Sequence, residues 1–145
     1  MHFSTILVAV DIHDPVHGKA AIARAASLAG SDSKISILYV RYYLPSRYSE
    51  LLVGDFDQDE QTEALTVLKQ WSAEAGLAEN QVEIVTRRGP VRDEVLAMAE
   101  RLKADLIVIG SHQPTISSRL LGSNASAIVH HSQVSVLVVR ASSDQ

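Results

Sequence analysis

At 145 residues, with 46% hydrophobic and 21% charged, the chain has the size and balance of one globular domain spanning 1–145. A formal charge of −4, with no basic cluster longer than Arg87-Arg88, argues against a dedicated nucleic-acid binder. Cysteine is absent, which excludes thiol catalysis, disulfides and thiolate metal sites. No apolar run approaches the roughly 18 residues of a membrane span. The N-terminus has no basic leader region and runs directly into a core-like segment. The expectation is a soluble, cytoplasmic protein with no membrane contact.

The first apolar run, Thr5–Val10, is continuous rather than alternating, as in a strand buried on both faces of a parallel sheet. Pro15, the Ala-rich stretch Val16–Leu28 and then Gly30 give the order of helix start and stop signals. Ile35–Val40 reads as the second strand. Arg41–Asp57 is long for a loop and holds Tyr42, Tyr43, Tyr48, Leu51, Leu52 and Phe56. Such a segment suits a lid, a partner surface or a short extra helix. Asp59–Ala75 places Ala64, Leu65, Leu68, Trp71 and Ala75 on one helical face, and Gly76 ends it. Val82–Thr86 is the third strand. Pro90–Leu102 carries Val91, Val95, Leu96, Ala99 and Leu102 at helical spacing. Leu106–Gly110 is the fourth strand. Ser123–His131 forms a short helix with Ala125, Ile128 and Val129 inward, and Val134–Val139 is the last strand. The βαβαβαβαβ order implies a three-layer α/β/α sandwich with right-handed crossovers.

The stretch from Leu106 to Ala125 carries the clearest chemistry. A buried strand ends in Gly110, a polar loop follows, and a helix opens with Gly122-Ser123-Asn124. Helix N-terminal N–H groups lack intrahelical partners and attract anions, so phosphate is the first ligand to consider. In doubly wound sheets ligands bind beyond the strand C-termini where strand order reverses. With the first strand central, that point lies between the first and fourth strands. Asp11 then stands at the crevice, where it can accept from a sugar hydroxyl, hold magnesium through water, or simply cap the Asp11–Pro15 turn. His112 can donate to phosphate or be an ordinary surface residue. Ser123 and Asn124 can cap their helix, hold phosphate, or both. Arg87 and Arg88 end the third strand near the crevice and can reach a phosphate.

Competing motifs are missing. There is no Walker loop, no G-x-G-x-x-G and no G-x-S-x-G elbow, and no second acid follows the third strand as in a phosphoacceptor domain. His13 and His17 are separated by Pro15, and His130-His131 point about 100° apart on a helix, so the six histidines do not predict a metal site.

Ile6-Leu-Val-Ala-Val-Asp11, Ile37-Leu-Tyr-Val40, Gly89-Pro90, Leu106-Ile-Val-Ile-Gly-Ser-His112, Leu120-Leu-Gly-Ser123 and Val136-Leu-Val-Val-Arg140, in that order, resemble the universal stress protein family. Ser111-His-Gln-Pro114 and Leu120–Ala125 look most like its small bacterial F/G-type branch. The resemblance implies a five-stranded parallel sheet of order 3-2-1-4-5, adenine-nucleotide alpha hydrolase-like. It also implies a homodimer through the strand Val134–Arg140, and ATP, alone or with Mg2+, in the crevice. Asp11 would then meet the ribose or adenine, and the Val40 backbone the adenine. Gly110 and His112 would line the ribose and phosphates; Gly122, Ser123 and Asn124 would hold the phosphates; Ala9 and Ile109 would wall the pocket. The family's ATP motif is Gly, two residues, Gly, nine residues, Gly, then Ser or Thr. Gln113 stands at the second glycine, and the eight residues 114–121 separate it from Gly122. Two functional readings stay open: an ATP-binding stress or signalling protein, and a dimeric interaction module that has lost nucleotide binding. A slow ATPase or autokinase is a third, thinly based, because Asp11 is the one acid placed at the crevice. No catalytic residue is assigned.

Overall fold

A computed structural model describes residues 2–41, 55–111 and 122–141. The elements run β1 (Phe3–Val10), α1 (Pro15–Leu28), β2 (Ala29–Arg41), α2 (Asp55–Glu74), a 3-10 turn (Glu79–Gln81), β3 (Val82–Arg88), α3 (Val91–Leu102), β4 (Leu106–Gly110), α4 (Ser123–His131) and β5 (Ser135–Val139). All strand pairs are parallel, in the order β3-β2-β1-β4-β5. The sheet is the one the resemblance implies.

Side-chain alternation along the strands divides the core into two layers. Ile6 and Val8 of β1, Ile35, Ile37 and Tyr39 of β2, and Leu106 and Val108 of β4 face α1 and α2. Leu7, Leu38, Ile107 and Ile109 face α3 and α4. Both faces of β1 and β4 are therefore apolar, which is why those runs are continuous in the sequence. Trp71 of α2 is buried, and Gly18 of α1 lies so close that an added Cβ would sit 2.5 Å from Trp71 Cζ3. The glycine lets two helices meet across the indole. Trp71→Ala is expected to lower unfolding free energy by about 3–5 kcal/mol, measured by urea denaturation at an unchanged m-value.

Several local expectations are corrected. Gly30 does not stop α1: the helix ends at Leu28 and Ala29 is already extended, with φ −86° and ψ 143°. Gly30 instead lies in β2, where its N–H donates to Ser33 Oγ and an added Cβ would meet the His2 ring at 2.7 Å. Gly76 does end α2, at φ +80°, with its own N–H donating to the Ala73 carbonyl and the Leu77 N–H to the Ser72 carbonyl. Of the long connection, Arg41 belongs to β2 and Asp55 onward to α2; residues 42–54, and with them the lid, partner-surface and extra-helix readings, lie outside the described residues. Leu65 and Val129 are 38% and 45% exposed, because the buried stripes of α2 and α4 are narrower than the apolar pattern suggests.

Candidate functional site

A cleft of about 870 Å³ opens at the C-terminal ends of β1 and β4, a volume typical of small-molecule and cofactor sites. This is the reversal point of the sheet: Ala9 pairs with Leu38 of β2 on one side and Ile109 of β4 on the other. Among the described residues, Ala9, Val10, Ile109 and Gly110 form its floor, the start of α4 one wall, and the β1–α1 turn with the ends of β2 and α2 the other. Ala9, Asp11, Val40, Ile109, Gly110, Gly122, Ser123 and Asn124 all line it. His112 and Gln113 lie outside the described residues. Arg87 and Arg88 do not line the cleft, since β3 is the sheet edge and β2 stands between it and β1. Arg87 Nη1 donates to its neighbour's carbonyl, that of Thr86.

Among the described residues no side chain caps the start of α4, which forms one wall. Gly122 is the N-cap, at φ −61° and ψ 158°, and its carbonyl accepts the first helical bond from Ser126 N at 2.9 Å. Ser123 and Asn124 are thus the first two residues of the helix rather than its cap. A glycine cap has no side chain to occupy the first-turn N–H groups, and no acidic residue stands in that turn. The partial positive charge of the helix start therefore opens on the cleft.

The opposite wall is anionic. Asp11 does cap its turn: Oδ1 accepts from His13 N at 2.9 Å and its carbonyl from Asp14 N at 3.0 Å. It also lines the cleft, so capping its turn does not remove it from the crevice. Asp14 is the N-cap of α1, accepts from His17 N and pairs with His17 Nδ1 at 3.1 Å. Glu60 of α2 accepts from the buried Tyr39 hydroxyl at 3.1 Å. Burial, and then the Glu60 and Asp11 carboxylates, push the Tyr39 phenol above its ordinary pKa. Asp11 is therefore not the sole acid at the crevice; Asp14 and Glu60 line it as well. Neither they nor His13, His17 and Tyr39 were legible as cleft residues. Tyr39 was hidden by its place inside an apolar strand, and Glu60 by its separation from every motif. Among the described residues no three His, Asp or Glu side chains converge to hold a metal ion.

Gly110 has a packing reason to be glycine. An added Cβ would sit 2.9 Å from His17 Cβ, so the bare backbone of β4 admits the first turn of α1. The close approach there is by a helix of this chain, whatever else the cleft admits.

A doubly wound parallel sheet with a cleft at its reversal point, the start of α4 on one side and carboxylates on the other defines a small α/β protein with a candidate ligand cleft. The family is shown directly: the model of the universal stress protein family matches residues 2–140, and the chain belongs to that family. It is 38% identical over 144 residues to universal stress protein G of Salmonella typhimurium, covering 95% of this chain and 99% of that one. Universal stress protein A homolog 1 of Coxiella burnetii is 30% identical, covering 96% and 97%. Among solved structures, universal stress protein UspA of Lactobacillus plantarum superposes with a TM-score of 0.71 at 25% identity, covering 97% and 99%. Two others share the fold: a universal stress protein in complex with cAMP, at TM-score 0.70 and 24% identity, covering 98% and 100%; and the Archaeoglobus fulgidus protein in complex with dAMP, at 0.68 and 21%, covering 95% and 98%. Among the described residues no helix is long and apolar enough to cross a membrane.

Proposed function

We propose that this protein binds an adenine nucleotide in the cleft between β1 and β4 and acts as a cytoplasmic stress-response or signalling module. The observation that carries this reading is the glycine-capped start of α4 facing Asp11 across the reversal point. The α4 N–H groups suit phosphate oxygens, and the Asp11 carboxylate suits a sugar or base donor. Solved relatives of the same fold described as complexes with cAMP and dAMP support an adenylate ligand. ATP, with or without Mg2+, is the form the motif favours. The site residues are Ala9, Asp11, Val40, Ile109, Gly110, His112, Gln113, Gly122, Ser123 and Asn124, and none is assigned to catalysis.

The alternative, an interaction module without nucleotide, is favoured by one feature: Gln113 replaces the second glycine of the motif and Pro114 stiffens the loop beside it. One experiment separates the two. Purified protein is denatured and the supernatant examined for nucleotide by mass spectrometry and adenine absorbance, alongside thermal melts with millimolar MgATP. Released adenylate or a raised melting temperature supports binding. No released nucleotide together with no thermal shift rejects it in favour of the interaction module.

Self-association belongs to the same proposal. β5 pairs with β4 on one side and ends the sheet on the other. An apolar sheet edge is a template for pairing with a second copy. Sedimentation at micromolar concentration is expected to give twice the monomer mass; a monomer there contradicts dimerisation through Val134–Arg140.

A further inference from the structure

The anionic wall of the cleft holds a carboxylate that no phosphate-binding role explains. Glu60 stands near the start of α2, where its Oε1 accepts from the Tyr39 hydroxyl at 3.1 Å. Tyr39 is only 4% exposed and meets the His13 ring edge-on at a centroid distance of 6.4 Å, so burial and the imidazole restrict the phenol. The phenol is protonated at neutral pH and donates, which leaves Glu60 the acceptor. The second carboxylate oxygen of Glu60 has no partner among the described residues, and Glu60 lines the cleft, as Asp11 does.

The charges divide the cleft. Asp11, Asp14 and Glu60 stand on one side and the open start of α4 on the other, and no lysine or arginine is among the described lining residues. A phosphate is therefore repelled from the Glu60 side and drawn to α4, which leaves the nucleoside end of the ligand facing the carboxylates. Only a neutral or cationic donor suits a fixed carboxylate oxygen.

We propose that Glu60, positioned by the Tyr39 hydroxyl, is a second acceptor beside Asp11 and recognises an O–H or N–H donor on the nucleoside part of the ligand. The proposal rests on the adenine-nucleotide reading of the cleft. Two sources carry that donor chemistry, a ribose hydroxyl and the exocyclic amine of adenine. Glu60 is the specificity residue and Tyr39 a positioning residue. A purely structural Glu60 needs only the one oxygen that accepts from Tyr39, and glutamine would serve equally.

That difference supplies the test. AMP, 2′-deoxy-AMP, 3′-deoxy-AMP and purine riboside monophosphate, which lacks the exocyclic amine and has no N1–H, are titrated calorimetrically into wild type, Glu60→Gln, Tyr39→Phe and the double variant, with melting curves for each. Glutamine keeps an acceptor for Tyr39 while replacing a charged oxygen in the cleft. Glu60→Gln is expected to weaken AMP by about tenfold or more without lowering the melting temperature. One analogue, the one lacking the donor that Glu60 reads, should bind wild type and Glu60→Gln alike. Tyr39→Phe should weaken AMP by a smaller factor and have no further effect in the Glu60→Gln background. Unchanged AMP affinity in Glu60→Gln overturns the proposal, as does an equal loss on all four ligands. Wild type that binds none of the four removes the adenine-nucleotide reading itself, and the proposal with it; binding by wild type with no Glu60 effect removes only the proposal.

Discussion

Replacing Ser123 with aspartate is expected to make the protein more stable and a far poorer nucleotide binder. Ser123 is the first residue of α4, directly after the Gly122 N-cap, in a turn that has no acidic residue. A carboxylate there complements the helix dipole and should add about 0.3–1 kcal/mol of stability. The same carboxylate would stand where the phosphate of a bound adenylate is proposed to sit. Two charges about 4 Å apart near a protein surface interact by about 4 kcal/mol. Ser123 is exposed, so screening reduces that figure, and a loss of about 2–3 kcal/mol, or roughly 30- to 150-fold in affinity, is expected. Ser123→Ala keeps the backbone N–H donors and should bind close to normally. Calorimetric unfolding and nucleotide titration on the three proteins read both effects. Nucleotide binding by Ser123→Asp at wild-type strength would move the phosphate away from α4.

The sheet was legible because its physics is local and repetitive. β1 and β4 are buried on both faces, so Ile6-Leu7-Val8 and Leu106–Ile109 had to be continuous apolar runs, and five such runs separated by helical patterns leave few topologies. Helix ends were legible where a backbone conformation demanded glycine, as at Gly76, and misread where glycine answered to packing, as at Gly30. The α4 side of the cleft could be read because strand, glycine and helix start are close in sequence. Of the other wall only Asp11, at the end of β1, could be read the same way. Tyr39 and Glu60 are separated by 21 positions, and their meeting depends on how α2 lies across the end of β2. Arg87 and Arg88 failed for a related reason: ending a strand near the crevice in sequence says nothing about how many strands stand between. Gly110 was legible as the glycine that ends β4 at the crevice, but its contact with α1 is a tertiary fact that no local pattern carries.

That contact gives Gly110→Ala a definite expected outcome. A glycine kept only for ligand approach would tolerate alanine in the free protein and lose affinity alone. Here the added methyl would lie 2.9 Å from His17 Cβ and 3.6 Å from the His17 carbonyl oxygen. The first turn of α1 has little room to yield. Asp11 and Asp14 pin it through the His13, Asp14 and His17 N–H groups, and Ala21, Ile22 and Ala25 anchor the helix in the core. Forcing a methyl into such a contact costs about 1–3 kcal/mol, and at this size each kcal/mol lowers the melting temperature by about 3 °C. The loss should appear in the free protein, without ligand. His17→Gly removes the opposing Cβ at a helix-propensity penalty of about 0.5 kcal/mol, so the Gly110→Ala/His17→Gly double variant should be more stable than the sum of the two single losses predicts. A coupling of about 0.5 kcal/mol or more in that cycle, read by urea denaturation, identifies the helix contact as the reason for the glycine. Strict additivity, with a stable Gly110→Ala protein that fails only to bind nucleotide, would return Gly110 to the ligand alone.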